Sequence, residues 1–432
     1  MNDMVPHDTI VTASAVKSAR KRAALFFYEG FIGISPSVIG AALELERRGY
    51  VVDLYYNVPA IDTILPTFPP NVRLHEHRPI TRRITRPLLD VLRRRALHKL
   101  SKSKANNTVR QKSARVRALS KGLIALIELP QFAFYCRQRP DSIDIAIAFD
   151  MNSLAAMDFA IPKSVPLIYW SLEIMLLEDA PEAFSRWMKR HELQRLNDAR
   201  AVVVQSEIRR ALIEQDLGSR IERYVEVPNA PALPMPANLG VDFFSIRFPI
   251  AKDAWIVLDA GFISSSLLSL EIAQTVPSWR RDFVLVFHER QHRDPAEPYL
   301  QAVREAGGER TFLSLNPVPF DQVDTVYAGA DIGIVCYQTA EQNEATAWAS
   351  SGKLVYYLRH GLPIIIVTDK RPTLFDKWRC GVWVENVEGI KAALEAITDD
   401  YTNYSTGAKH AYAALYDFGA AFDRLMETVN GD

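Results

Sequence analysis

The chain has 432 residues, 48% hydrophobic and 24% charged, with 51 Lys/Arg balancing 51 Asp/Glu, a composition that suits a globular protein with room for two cores. No apolar run approaches the ~18 to 20 residues of a membrane-spanning helix, and the polar stretch 1–22, ending in Lys17, Arg20, Lys21 and Arg22, lacks the pattern of a secretory signal and reads as a disordered lead-in. Cys136, Cys336 and Cys380 cannot all pair and have no Cys-x-x-Cys spacing, so they read as packing residues in a reducing compartment.

A strand over 23–28, a helix over 35–48 with Ser35 as cap and Pro36 in its first turn, and a strand over 51–56 make a βαβ start. The turn between them, Glu29 to Ser35, carries Gly30 and Gly33, which allow a phosphate or sugar to approach the backbone. Its spacing is not Gly-x-Gly-x-x-Gly, and the second strand has no acidic tip, so a nicotinamide cofactor is not expected. A simple strand-to-helix turn has the same composition. Between Arg78 and Lys121 fifteen Lys/Arg face a single acid, Asp90, a net +14 against −14 for the rest of the chain. An apolar, aromatic-rich stretch from Gly122 to Cys136 follows, bordered by Arg137 and Arg139. The segment 78–139 is either a solvated helical insertion or a patch for an anionic membrane surface. No nucleic-acid-binding motif accompanies it.

Strands over 143–149, 165–169 and 201–205, with a helix over 181–197, complete a parallel sheet with crossover helices. The Pro-rich stretch 227–236 reads as a linker. The second half restarts with strands over 255–260, 283–287, 311–315, 332–335, 364–367 and 382–384. Final helices from about 405 to 426 carry an apolar stripe at Tyr412, Leu415, Phe418 and Phe422. There is no internal repeat. The expected domains are therefore 23–227, a linker 228–240, a second domain 241–404, and helices 405–432 that pack back. Two such sheets place their strand C-termini around a cleft.

The candidate residues fall at that cleft. Ser350, Ser351 and Gly352 deliver backbone N–H groups to a helix start, where the helix dipole and the ammonium of Lys353 would favour a diphosphate. An ordinary αβ unit with Gly361 as C-cap and a solvated Lys353 fits the same letters. Trp170 and Glu173 follow a strand; Glu173 either orients an acceptor hydroxyl or is an exposed helix-start carboxylate. In the loop 288–293, Arg290 or Arg293 could neutralise a leaving group, while His288 and His292 read as loop histidines rather than metal ligands. Glu341, Asn343 and Glu344 are polar groups able to bind sugar hydroxyls, and a flexible surface loop would have the same composition. There is no Asp-x-Asp metal motif at a strand end.

The segment from Ser350 to Val367 resembles the donor-binding helix of family 4 glycosyltransferases, with its Ser/Pro-x-Lys-Leu-x-Glu-Tyr-Leu-x-x-Gly-Leu-Pro-Val-Ile pattern. In the same order as in that family come Tyr169 to Glu173, Ala201 to Glu207 leading into Arg209, Val227 to Pro231, and Ala330 to Val335; the likeness covers roughly residues 140 to 370. It implies a GT-B fold of two Rossmann-like doubly wound domains. It also implies a sugar moved from a nucleoside diphosphate donor to a hydroxyl of a glycan or lipid-linked glycan. Retention of configuration, no metal and no cofactor beyond the nucleotide sugar go with it, in polysaccharide biosynthesis; the cysteines suit a cytoplasmic protein, and the basic segment 78–139 suits a peripheral place on the inner face of a membrane. On this reading Glu173 is the catalytic candidate. Gly33, Arg290, Glu341, Asn343, Ser350, Ser351, Gly352, Lys353 and Tyr356 take the donor side, and Glu29, Gly30 and Trp170 the acceptor side. Two departures matter. The acid that grips the ribose in relatives is Tyr356 here, and the loop 261–267 lacks the basic pair of relatives, leaving Lys353 and Arg290 for the diphosphate. They keep open a catalytically silent GT-B protein that scaffolds a partner; a sugar-nucleotide epimerase of the same fold fits the linker and the Lys353 helix less well.

Overall fold

The computed structural model describes residues 20–59, 64–79, 126–137, 142–180, 182–237, 239–240, 242–337 and 347–431. Residues 1–19 of the expected lead-in, most of the basic segment 78–139, and Glu341, Asn343 and Glu344 lie outside them.

Two parallel sheets form. The first contains β1 (Arg22–Phe27), β2 (Val51–Asn57), β3 (Val72–His77), β4 (Ile145–Phe149), β5 (Leu167–Trp170), β6 (Ala201–Val204) and β7 (Tyr224–Glu226), in the spatial order 3-2-1-4-5-6-7. The second contains β8 (Trp255–Gly261), β9 (Phe283–Glu289), β10 (Thr311–Ser314), β11 (Ile332–Cys336), β12 (Ile364–Val367) and β13 (Gly381–Val384), in the order 10-9-8-11-12-13. In each, the order reverses beside the sheet's first strand, at β1/β4 and β8/β11, and the crevice at such a switch point receives ligands in open α/β sheets.

Side-chain alternation explains why the central strands read as continuous apolar runs. Along β1, Leu25 and Phe27 join the core under the helix Pro36–Arg47. Ala24 and Phe26 join the opposite core with Phe132 and Leu154, from the helices over 126–137 and Asp150–Ala160. Both faces are covered, so neither needs polar residues. The edge strands β3 and β7 do not show this pattern. β3 mixes Arg73, His75 and Glu76 with Val72 and Leu74, and β7 has three residues; an edge needs burial on fewer sides.

The final helical region runs from Tyr401 to Leu415 and from Phe418 to Asn430. It breaks at Asp417, whose carboxylate caps the last helix by accepting from Ala420 N at 2.9 Å. The first of these helices packs on Gly352–Arg359 in the second domain. The second returns to the first domain, where Phe418, Phe422, Leu425, Met426 and Val429 enter its core. Of the expected stripe, Leu415 is the exception: it is exposed. All three cysteines are free and buried.

Candidate functional site

Between the domains lies a pocket with Gly33, Ile34 and Pro36 on one side and Gly261, His288, Arg290, Tyr327 and Tyr356 on the other. Three of the expected donor-side residues, Gly33, Arg290 and Tyr356, therefore meet across the cleft. Gly30, on the acceptor side of the sequence reading, has φ +77°, and a Cβ there would lie 1.7 Å from the Asn57 carbonyl oxygen, so close packing of the turn on β2 requires glycine.

The helix Gly352–Arg359 points its N-terminus into this region. Ser351 caps it, accepting from Leu354 N at 3.5 Å while its Oγ also accepts from the Tyr337 hydroxyl at 2.9 Å. A Cβ placed on Gly352 would stand 3.4 Å from Asn229 Nδ2 and 3.8 Å from an Arg290 guanidinium nitrogen. An amide donor and a cation thus flank backbone N–H groups at a positive helix end, the arrangement an anion favours. Ser350 ties this end to the first domain. Its Oγ accepts from Arg209 at 2.8 Å and its carbonyl from Asn229 at 3.2 Å, and Asn229 in turn accepts from Ser37 Oγ at 3.0 Å.

Lys353 is a correction. Its ammonium was expected to face the phosphates, but it is buried and bonds Asp259 Oδ1 at 2.6 Å, with the Tyr337 ring 5.5 Å away. Side chains in a helix lean back toward its N-terminus, which here aims Lys353 at the end of β8. Burial lifts the Asp259 carboxyl above its ordinary range against the pull of Lys353. The charge of Lys353 is spent on this pair, and among the described residues Arg290 and Arg209 stand as cations beside the helix start.

Tyr356 is buried and stacks on Tyr327, with ring centroids 4.8 Å apart and planes 11° from parallel. Burial raises both phenols, Tyr327 to about 12, so both are neutral near pH 7. Arg290 lines the same pocket as this tyrosine pair, and its positive charge opposes the rise of the Tyr327 phenol that burial causes.

On the first-domain side, Glu29, Asp150 and Glu173 converge at the ends of β1, β4 and β5. Asp150 holds φ +62°, uncommon for a residue with a Cβ, and its Oδ1 accepts from Leu172 N at 2.7 Å and Glu173 N at 3.0 Å. Glu29 accepts from Asn152 at 2.9 Å. Burial raises Glu29 and raises Asp150 well above the usual carboxylate range, the latter also by repulsion from Glu29. The Glu173 carboxylate is largely exposed, 3.8 Å from Arg209. Burial lowers the Arg209 pKa, with Glu173 and Asp150 opposing. Trp170 is a second correction: it has no exposed surface and sits between Phe149, Phe418 and Phe422, because both faces of β5 are covered.

The loop histidines diverge. His288 is buried against Ser314 Oγ at 2.9 Å, and His292 is exposed beside Asn316. Arg293 is engaged by Glu289 and Glu297, which leaves Arg290 as the cation this loop brings to the pocket, beside His288 and Glu289. Sequence reasoning assigned no role to Asn229, Arg209, Tyr327, Asp150 or Asp259. Asn229 and Arg209 lie within stretches that carry the family resemblance; a lone acid in the apolar run 255–260 was the available signal for Asp259.

No protein-family model matches the chain, and no curated protein matches its sequence. Solved structures do match. Sucrose-phosphate synthase from Thermosynechococcus elongatus is 12% identical, with 94% of this chain and 98% of that one covered and a TM-score of 0.62. HepE from Anabaena, solved with UDP-glucose, is 14% identical over 96% and 100% of the chains, with a TM-score of 0.59. A glycosyltransferase from Rickettsia africae is 11% identical over 96% and 100%, also at 0.59. The likeness spans nearly the whole of each chain, and the fold is GT-B.

Proposed function

We propose that this protein is a glycosyltransferase resembling family 4. On this reading it moves a hexosyl group, with retention, from a nucleoside diphosphate to a hydroxyl of a glycan or lipid-linked glycan in polysaccharide biosynthesis, in the cytoplasm at the inner face of a membrane. The observation that carries the reading is the start of the Gly352–Arg359 helix, flanked by Asn229 and Arg290 at the cleft between two doubly wound domains. A diphosphate leaving group needs fixed positive potential where its charge develops, and a helix N-terminus with Arg290, and with Arg209 2.8 Å from Ser350, supplies it without assigning a metal. The Tyr327–Tyr356 stack offers an apolar wall for the nucleoside in place of a carboxylate grip on the ribose. HepE, which shares the fold, was solved with UDP-glucose.

Across the cleft, Glu173 is the group that orients the acceptor hydroxyl, with Asp150 fixing the backbone of Leu172 and Glu173 through two hydrogen bonds. Calorimetric titration with UDP, GDP, ADP and dTDP, followed by hydrolysis and transfer assays over the corresponding nucleotide sugars, tests the reading. One nucleotide diphosphate should bind and its sugar should turn over; failure of all four to bind would sink it. A second reading, a GT-B protein that binds without transferring, is favoured by the Lys353–Asp259 pair, which removes a cation from the diphosphate side. Binding without turnover across the panel would select it.

A further inference from the structure

The outer layer of the first domain carries an aromatic surface remote from the cleft chemistry. Phe134, on the helix over 126–137, is 58% exposed; Phe159, at the end of Asp150–Ala160, is 54% exposed; Trp187, on Ala183–Leu196, is 56% exposed. A chain of contacts joins them into one patch. Arg137, one turn beyond Phe134, lies over the Phe159 ring at 5.5 Å. The neighbouring Asp158 pairs with His191 at 3.1 Å, and His191 stacks on Trp187 with centroids 6.1 Å apart. Leu126 and Ile127 extend the apolar surface at the start of the first helix. The same helix faces that show these rings also offer cations: Arg190 stands one turn from Trp187, and Lys163 is exposed just after the helix that ends at Ala160.

Single exposed apolar side chains are ordinary, but large aromatics on three neighbouring helices mark an interaction face. Charge decides what it meets. In the sequence, the +14 stretch between Arg78 and Lys121 ends four residues before the helix over 126–137, and cations beside exposed aromatics are complementary to an anionic interface: rings enter the headgroup boundary while Lys and Arg stay with the phosphates. We propose that the Phe134–Phe159–Trp187 face docks on an anionic membrane surface. This assignment does not depend on the transfer chemistry, since none of its residues lines the cleft pocket.

Co-sedimentation of the full chain with phosphatidylcholine vesicles, with and without phosphatidylglycerol, tests it. Binding should require the anionic lipid and fall as salt rises from 0.1 to 1 M, where the Debye length shrinks from ~10 to ~3 Å. Phe159→Ser with Trp187→Ser, changed at exposed positions and checked for an unaltered melting midpoint, should lower the partition coefficient about fivefold or more while nucleotide binding is unchanged. Pelleting equally with neutral and anionic vesicles, or with neither, would overturn the proposal. So would a double variant that binds like wild type, or one that converts a wild-type dimer to monomer, since the face would then be covered by a second copy.

Discussion

Lys353 and Asp259 show how a single pairing redirects a charge that motif reading places on a substrate. Both are nearly fully buried, so removing one partner strands the other without water. Lys353→Met is expected to destabilise the protein by about 3 to 5 kcal/mol, and Lys353→Met with Asp259→Leu to regain most of that loss. Urea unfolding of the two variants measures it; a single variant within ~1 kcal/mol of wild type would mean the pair is solvated. His288 gives a pH-dependent counterpart. Burial, then the positive fields of Arg247 and Arg290, lower its pKa to about 4, whereas an unfolded imidazole titrates near ~6.5. The folded state therefore refuses a proton that the unfolded state accepts. The stabilisation is present above ~6.5 and is lost as pH falls toward 4, about 3 kcal/mol across that interval. His288→Gln should lack this slope when unfolding is followed from pH 7 to 4.5. Glu29, Asp150 and Asp259, raised by burial, act with the opposite sign in both proteins and cancel in the comparison. Parallel curves would show that the imidazole is not held neutral.

The helix Gly352–Arg359 makes its start a more specific target than any of its charged side chains. No strained φ and no contact under 3.4 Å oppose a Cβ at Gly352, so Gly352→Ala should fold with stability within ~1 kcal/mol of wild type. The added methyl would stand between Asn229 and Arg290 where phosphate oxygens are expected. Nucleotide diphosphate affinity should fall by about tenfold or more, roughly 1.4 kcal/mol, read by calorimetry; unchanged affinity would move the anion elsewhere. This element was legible from its small residues, its Leu354–Leu358 spacing and the strand Ile364–Val367, which the structure places at the residues expected. The strand expected over 255–260 runs one residue further, to Gly261. β3 and β7 were not legible, because edge strands need no continuous apolar run. Nor was the direction of Lys353, which depends on a carboxylate 94 positions earlier in the chain. Local pattern sets elements; the Arg209–Ser350 and Asn229–Ser350 contacts exist only once both sheets are folded.

At the scale of the whole molecule, the domains share a core rather than merely a linker. Val355 and Phe320 of the second domain belong to the same buried cluster as Leu25, Ile147 and Trp170 of the first. The last helix closes that cluster after the chain has crossed back. Phe418 fills the space beside Gly40, where a Cβ would come within 2.5 Å of its ring, and Phe422 lies 6.4 Å from Trp170 by ring centroid, with the Arg48 guanidinium 4.9 Å over its face. Arg48 also pairs with Asp423 on the same helix. Phe422 has no exposed surface, so Phe422→Ala removes a full aromatic payload and leaves a cavity among residues that the other side of the sheet holds in place. The expected cost is about 3 to 5 kcal/mol, although the residue lies more than two hundred positions from every strand of the domain it stabilises except β7. Denaturant unfolding followed by tryptophan fluorescence should show the loss. A change below ~1 kcal/mol would mean that the returning helix is an accessory of the first domain and that the cleft geometry is set by the linker and the polar contacts at Ser350 alone.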